Sequence, residues 1–153
     1  MKNDIDIRLA TLNDLSSWME LVRLVSWNFP GLETEELLNG YQETVIKNIG
    51  RNSAICAKHN GKVIGVLLFS RKHKMLCCMA VHPDYRKMGI AAKMIQLMLT
   101  YLPDTCDVVV TTFRRDDEKG MAPRALYKKL GFIEDELCYE FDYPVQKFIL
   151  HRK

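Results

Sequence analysis

Three kinds of sequence feature are missing from this chain. No apolar run approaches the ~18 residues that a membrane-spanning helix needs. The five cysteines are odd in number and show no CxxC spacing, which argues against both a disulfide framework and a zinc site. The 22 basic and 19 acidic residues are interspersed, so no basic stripe marks a nucleic-acid surface. The sequence therefore predicts no membrane partner, no nucleic-acid partner and no metal.

The N-terminus also lacks the features of a targeting segment. Its first ten residues, MKNDIDIRLA, carry acidic side chains where a signal peptide would need an apolar stretch. With reduced thiols expected as well, the sequence predicts a cytoplasmic protein. No internal repeat, low-complexity tract or linker divides the 153 residues, a length usual for one domain. We therefore expect a single domain over residues 1–153.

Hydrophobic periodicity predicts an alternation of strands and helices. Six β-rich segments predict strands, at residues 5–11, 53–58, 62–70, 75–81, 107–113 and 137–150. Four further segments predict helices, at residues 13–30, 34–50, 89–102 and 122–130. We expect Gly50 and Gly131 to close two of these helices and Pro144 to split the last strand. The pattern indicates a mixed α/β (α+β) fold whose sheet has an antiparallel half and a βαβ half.

The segment from Met79 to Leu99 carries the clearest chemical signal. It joins a buried strand to a helix through a loop that holds Arg86, Lys87 and Gly89. The first turn of a helix offers unpaired backbone N–H groups and about half a positive charge, and small residues there let a phosphate approach. The arrangement predicts an anion site that would fit a pyrophosphate, although many helices that start after a glycine bind nothing.

Two motifs resemble the signatures of the GNAT superfamily of acetyltransferases. The stretch VHPDYRKMGIA resembles the acyl-CoA-binding signature R/Q-x-x-G-x-G/A, with Arg86, Gly89 and Ala91 at the signature positions. Further along, APRALYKKLGF at residues 122–132 resembles the second signature, a helix that ends in LYxKLGF. The order of predicted elements is also similar to the family's. The resemblance implies a GNAT-like fold, with a central mostly antiparallel sheet, a βαβ acyl-CoA-binding half and flanking helices.

The resemblance also implies how acetyl-CoA is bound. In the family, a bulged strand presents backbone groups to the pantetheine arm, and this strand corresponds to Met79, Ala80 and Val81. Backbone amides wrap the pyrophosphate at positions that correspond here to Lys87, Met88, Gly89, Ile90, Ala91 and Ala92. Side-chain identity matters little there, so replacement of Lys87 or Met88 is expected to cost little. A bulky side chain at Gly89 is expected to block the phosphate.

Tyr127 matches the general acid of the family. A phenol has a reference pKa of about 10 and stays protonated at neutral pH, so it can give a proton to the departing thiolate. The alternative is a structural role, in which the ring packs on the helix face with Leu126 and Leu130.

The base that would deprotonate the acceptor amine is left unassigned. Some family members place a glutamate on the strand that corresponds to 107–113, which reads DVVVTTF here. Glu33, Glu35 and Glu36 are the nearest candidates by analogy, although a solvated helix N-terminus explains them better. The asparagine that often precedes the tyrosine helix in the family is replaced by Gly120.

Cys77 and Cys78 lie on the strand that would face the thioester, where a thiolate could accept the acyl group. Small buried residues are the favoured interpretation, because no His or Lys is placed to activate them.

Six aromatic residues could line an acceptor pocket or belong to the core, namely Trp27, Phe29, Tyr41, Tyr139, Phe141 and Tyr143.

With the resemblance, the sequence predicts an N-acetyltransferase that moves an acetyl group from acetyl-CoA to a primary amine by direct attack through a tetrahedral intermediate. The acceptor is a small molecule or a peptide that the sequence does not identify. The alternative function is an acyl-CoA-binding sensor or interaction module without turnover. The C-terminal run ELCYEFDYPVQKFIL alternates as edge strands do, and edge strands invite pairing, so a homodimer is a further expectation.

Overall fold

The computed structural model describes residues 4–26 and 32–152. Within these residues seven segments form strands: β1 (Asp6–Leu9), β2 (Ala54–His59), β3 (Lys62–Ser70), β4 (Met75–Val81), β5 (Val108–Phe113), β6 (Ile133–Glu140) and β7 (Tyr143–Leu150). In the same described ranges four segments form α-helices: α1 (Leu15–Val25), α2 (Glu35–Gly50), α3 (Ile90–Thr100) and α4 (Met121–Lys129). None of these described helices is long and apolar enough to cross a bilayer.

The strands form one sheet in the order β1-β2-β3-β4-β5-β7-β6. Five of the six neighbouring pairs are antiparallel. The remaining pair, β4 and β5, is parallel, because α3 carries the chain back across one face of the sheet between them. The predicted mixed α/β fold, with an antiparallel half and a βαβ half, is therefore confirmed.

Helices cover both faces of the first four strands. On one face, α1 and α2 bury Trp18 and Val45 in a core with Leu68 of β3. On the other face, α3 buries its Met94 and Met98 side chains in a second core, to which α4 contributes beside β5 and β7. The apolar run of β3 is explained by this double burial, because its successive side chains enter opposite cores.

Two element boundaries follow from local turn and cap residues. The β2–β3 hairpin turns at Asn60 (φ 53°) and Gly61 (φ 78°), the pair of left-handed residues that a type I′ turn requires. The Thr34 hydroxyl caps α2 by accepting from the Leu37 amide. α2 does end at Gly50, but the left-handed residue that follows it is Asn52 (φ 57°). The end predicted for the first helix, at residue 30, lies outside the described residues.

The C-terminal segment was predicted to divide at Pro144, and that position was wrong. Residues 137–150 belong to two strands, because the chain reverses at Phe141 (φ 52°) and Asp142 (φ 61°). Pro144 splits nothing: it lies within β7, opposite Tyr139 of β6. β6 is the edge strand, and β7 lies between β5 and β6. The turn contains no glycine, so its two residues show no strong hairpin signal.

Candidate active site

β4 and β5 pair over only two residues of β4, Met75 and Leu76. Beyond Leu76 the strands diverge, and the gap opens into a cavity of about 1190 Å³. Tyr127 of α4 lines it from one face of the sheet, and Tyr41 of α2 lines it from the other. The cavity therefore passes through the sheet, and its volume somewhat exceeds the roughly 300–1,000 Å³ that is usual for small-molecule sites.

A β-bulge lies at the edge of this gap. The β3–β4 register shifts between Leu68 and Phe69, which leaves Cys77 as the extra residue of β4. The family resemblance implied a bulge in the strand that contains Met79–Val81, and that strand does bulge, but at Cys77, because Met79, Ala80 and Val81 keep regular pairing with β3. Cys77 is exposed and lines the cavity.

The loop before α3 has the backbone geometry of an anion site. Lys87 (φ 63°) and Gly89 (φ 79°) are both left-handed, and such alternation makes concave groups of N–H donors. A Cβ added at Gly89 would meet no atom within 4 Å, so the space there is open. Arg86 and Lys87 line the cavity beside it, and Lys129 adds a third positive side chain. The site therefore fits a phosphate-bearing ligand.

Eight of the nine predicted cofactor-binding residues line the cavity: Met79, Ala80, Val81, Lys87, Gly89, Ile90, Ala91 and Ala92. The ninth, Met88, lies in the same loop but not in the cavity wall. These residues form one continuous strand, loop and helix start, which is why a single sequence motif could point to all of them.

Tyr127 satisfies both interpretations that the sequence left open. Its side chain is 4% exposed, and its ring packs against Phe132 and Phe148 with centroids 5.7 and 6.0 Å away. Its hydroxyl makes no hydrogen bond with the described part of the chain, and the residue lines the cavity. Burial raises the pKa of this phenol above its ordinary value, so it stays protonated at neutral pH. The ring is a core residue, and the hydroxyl is free to donate.

A second tyrosine reaches the gap from the opposite face. The Trp18 indole N–H donates to the Tyr41 hydroxyl at 3.1 Å, and that hydroxyl lies 3.3 Å from the Cys78 sulfur. Burial raises the pKa of Cys78 to about 11 and also raises the pKa of Cys77. Both groups are therefore thiols at neutral pH, which supports their interpretation as small structural residues rather than acyl-accepting nucleophiles.

The carboxylates of the cavity are not those that analogy suggested. Among the described residues, Glu118 and Glu140 line it. Glu33, Glu35 and Glu36, at the start of α2, do not. Sequence reasoning missed Glu140 because it lies beside the β6–β7 turn, which was read as the interior of one strand.

The position of the family's asparagine has no room for a side chain. A Cβ at Gly120 would lie 3.0 Å from the Phe113 Cβ and 3.1 Å from the Arg124 Cδ. Arg124 is buried and donates to the Phe113 carbonyl at 3.0 Å. It also donates to Gln146 at 2.8 Å and pairs with Glu134. Arg124 thus ties α4 to β5 and β7, a role the sequence did not suggest because arginines in helices are mostly exposed.

Of the six aromatic candidates, Tyr41 and Phe141 line the cavity, Tyr139 and Tyr143 do not, and Trp27 and Phe29 lie outside the described residues. No group of three or more His, Cys, Asp or Glu side chains within the described residues could hold a metal ion.

Comparison with known families identifies the class of protein. The model of the acetyltransferase (GNAT) family matches residues 18–132, which run from α1 to the residue before β6. The chain therefore belongs to the GNAT family of acetyltransferases, as the two motifs predicted. No curated protein sequence matches the chain significantly.

Solved structures share this fold along nearly the whole chain. A GNAT-family acetyltransferase from Bacillus cereus ATCC 10987 superposes with a TM-score of 0.75 at 17% identity, covering 97% of this chain and 98% of its own. The putative acetyltransferase yncA from Salmonella typhimurium, with its cofactor acetyl-CoA, gives 0.73 at 14% identity, covering 97% and 94%. The NatC complex bound to Gag peptide and CoA gives 0.71 at 16% identity, covering 98% and 99%.

Proposed function

We propose that this protein is an N-acetyltransferase that moves an acetyl group from acetyl-CoA to a primary amine. The observation that carries the proposal is the cavity through the β4–β5 gap, which joins the α3 N-terminus to the opposite face of the sheet and contains the free hydroxyl of Tyr127. Neighbours of the same fold that were crystallised with acetyl-CoA or CoA support the choice of acyl donor. A cytoplasmic location and a single domain over residues 1–153 stay predictions.

The α3 side of the cavity would hold the donor. The first-turn amides of α3 and the left-handed residues Lys87 and Gly89 provide backbone donors for a pyrophosphate, and Arg86 adds a positive charge. Met79 to Val81 line the gap from β4, whose side facing β5 has unpaired backbone groups beyond Leu76 that can receive an amide-containing arm. Acetyl-CoA would supply the activated thioester at the gap.

Tyr127 would serve the leaving group. The amine nitrogen bonds to the acetyl carbonyl carbon to give a tetrahedral intermediate, and when that intermediate collapses the carbon–sulfur bond breaks and sulfur keeps the electron pair. A protonated hydroxyl within hydrogen-bond reach stabilises that charge and gives its proton to sulfur, and the proton that the nitrogen loses, carried by water, restores the hydroxyl. The hydroxyl of Tyr127 is free of protein partners in the described chain and kept protonated by burial, so it suits this role.

Calorimetric titration with acetyl-CoA tests the donor site. Gly89→Trp should bind at least about a hundredfold more weakly than wild type, because it both strains a left-handed position and fills open space at the helix N-terminus. Lys93→Trp places the same bulk on the exposed side of α3, outside the cavity wall, and should bind like wild type. Circular dichroism establishes that both variants fold. Equal affinity for Gly89→Trp and wild type would contradict the proposed donor site.

Turnover separates an enzyme from the alternative of a non-catalytic acyl-CoA sensor. Wild-type protein is incubated with acetyl-CoA and a set of primary amines and peptides with free N-termini, and released thiol is measured. Acetylation of at least one amine is expected. Tight acetyl-CoA binding without any transfer would favour the sensor.

A further inference from the structure

We infer that Glu140 selects the acceptor by binding the positive charge of a cationic amine at the mouth of the cavity opposite α3. The inference rests on the proposed function and deepens it by naming the acceptor class. That class is an amine with net positive charge near the reacting nitrogen and no neighbouring carboxylate.

Strand register places Glu140 on the face opposite α4. Val110 pairs with Phe148, and both are buried in the core that α3 and α4 cover. Side chains alternate along a strand, and directly paired residues share a face. Phe113, three residues after Val110, therefore points to the other face together with its partner Val145. Glu140 faces the same way, because it pairs with Tyr143, two residues before Val145.

The cavity wall carries charges of both signs. Near the start of α3 it contains Arg86 and Lys87. On the face opposite α4 it contains Glu140 and also Lys119, whose Nζ lies 5.6 Å from the ring centroid of Tyr143, but no lysine or arginine forms a salt bridge with Glu140 in the described ranges 4–26 and 32–152. By contrast, Glu136 on the same strand is paired with Lys147 at 2.8 Å. An unpaired carboxylate beside an apolar wall attracts a cation and repels an anion.

The wall beside Glu140 suits the carbon stem of such an amine. Phe141 is adjacent in the turn, and Val22, Leu32 and Tyr41 line the same cavity from the α1–α2 side. Apolar and aromatic side chains around one charged group are the usual construction of a site that orients a small amphipathic ligand. The acceptor would lay its stem on this wall with its charge at Glu140.

The thiol of Cys77 can report the charge of Glu140 by chemical labelling, without any measurement of catalysis. It is the bulged residue of β4, its thiol is exposed, and the Glu140 carboxylate contributes to raising its pKa after burial. Two alkyl methanethiosulfonate reagents of similar size, one carrying an ammonium and one a sulfonate, react with a thiolate by the same step, in which a mixed disulfide forms and methanesulfinate leaves. The ratio of their rates at Cys77 cancels the thiol's own reactivity and measures the local electrostatic preference.

The labelling rates are measured at Cys77 by peptide mass spectrometry at low salt. Wild type should favour the cationic reagent, and Glu140→Gln should lower the cation-to-anion rate ratio by about fivefold, the size of a single charge a few ångströms away in a wet site. Glu136→Gln removes one negative charge from the same strand and should leave the ratio within about twofold, because Lys147 already compensates it. A ratio that Glu140→Gln leaves unchanged, or that Glu136→Gln changes as much, overturns the inference.

Turnover with matched amines gives the second measurement. Cadaverine and 5-aminovalerate are both unbranched primary amines, one ending in an ammonium and the other in a carboxylate. Wild type should prefer cadaverine in kcat/KM by at least about tenfold, and Glu140→Gln should remove most of that preference while acetyl-CoA affinity stays unchanged. Retention of the preference by Glu140→Gln overturns the inference. If neither amine is acetylated and acetyl-CoA does not bind, the proposed function fails, while the labelling ratio still decides the role of Glu140.

Discussion

The two halves of the sheet are held together in different ways. β1 to β4 are covered on both faces, by α1 and α2 on one side and α3 on the other, and their contacts are mostly apolar. β5, β7 and β6 are covered by α4 on one face, where the buried Arg124 joins the helix to two strands. Their other face, which carries Phe113, Val145 and Glu140, borders the cavity.

This difference explains why the site lies where it does. The strands of the first half, which are covered on both faces, pair along most of their length, with a register shift in the β2–β3 pair and the bulge at Cys77 in the β3–β4 pair. Among the residues that the structure describes, no α-helix covers one face of the second half, and the second half pairs with the first over only two residues of β4. The binding space is therefore a consequence of missing packing between two halves that are each well ordered.

Replacement of Arg124 tests the polar contacts that hold α4 to β5 and β7 in the second half. Arg124→Met should lower the free energy of unfolding by about 3 kcal/mol, because the Phe113 carbonyl and Gln146 lose a buried donor and Glu134 loses a partner. Urea unfolding at pH 7 measures the change. Arg115→Met removes a 77% exposed partner of the same Glu134 and should cost under about 1 kcal/mol. Equal losses in the two variants would mean that burial of Arg124 is not what matters.

Replacement of Tyr127 tests the chemistry at the gap without changing its packing. Tyr127→Phe keeps the ring contacts with Phe132 and Phe148 but removes the hydroxyl, and kcat should fall about a hundredfold with acetyl-CoA affinity unchanged. Steady-state rates with an amine that wild type acetylates give kcat, and calorimetry gives the affinity. Tyr139→Phe, on an exposed residue outside the cavity, should act like wild type. If Tyr127→Phe were fully active, the hydroxyl would have no part in catalysis, and Tyr127 would contribute only the packing of its ring.

The first half holds a buried carboxylate, whose effect should be smaller. Asp14, 2% exposed, accepts from Lys58 Nζ at 2.8 Å and from the Thr11 amide at 2.8 Å. Burial by itself would raise the pKa of Asp14, but these hydrogen bonds bring the pKa below its ordinary value. The carboxylate therefore stabilises the fold above pH about 4, and this contribution is lost as pH falls through the lower folded-state pKa.

Asp14→Asn should lower the free energy of unfolding by about 1–2 kcal/mol at pH 7 and flatten its decline below pH 4. Unfolding is followed in urea at several pH values. Asp6→Asn, which removes an exposed carboxylate paired with Arg8, should change little. If the free energy of unfolding fell equally steeply with pH in wild type and in Asp14→Asn, the acid destabilisation would come from groups other than Asp14.

Most of the fold was predictable because its signals are local. The apolar run of β3, the Asn60–Gly61 turn and the Thr34 cap each follow from a few adjacent residues. The β6–β7 turn was not predictable in this way, because Phe141 and Asp142 adopt left-handed angles without a glycine. Their conformation depends on the pairing of two strands, which a local pattern does not reveal.

The same distinction applies to the site. The predicted cofactor residues follow one another along β4, the loop and α3, and eight of them line the cavity. Glu140 and Tyr41 come from distant elements that only the fold brings to one cavity, and Arg124 acts through contacts with β5 and β7. Their roles, and the homodimer expected from the edge strand, stay predictions.

The passage of the cavity through the sheet has a kinetic consequence. On the proposed arrangement the acyl donor arrives at the face covered by α3, and the acceptor arrives at the face that carries Glu140. Neither substrate has to leave before the other enters, and neither blocks the other's route. Both can be present together in a ternary complex, so the enzyme has no structural need to store the acetyl group on itself between two half-reactions.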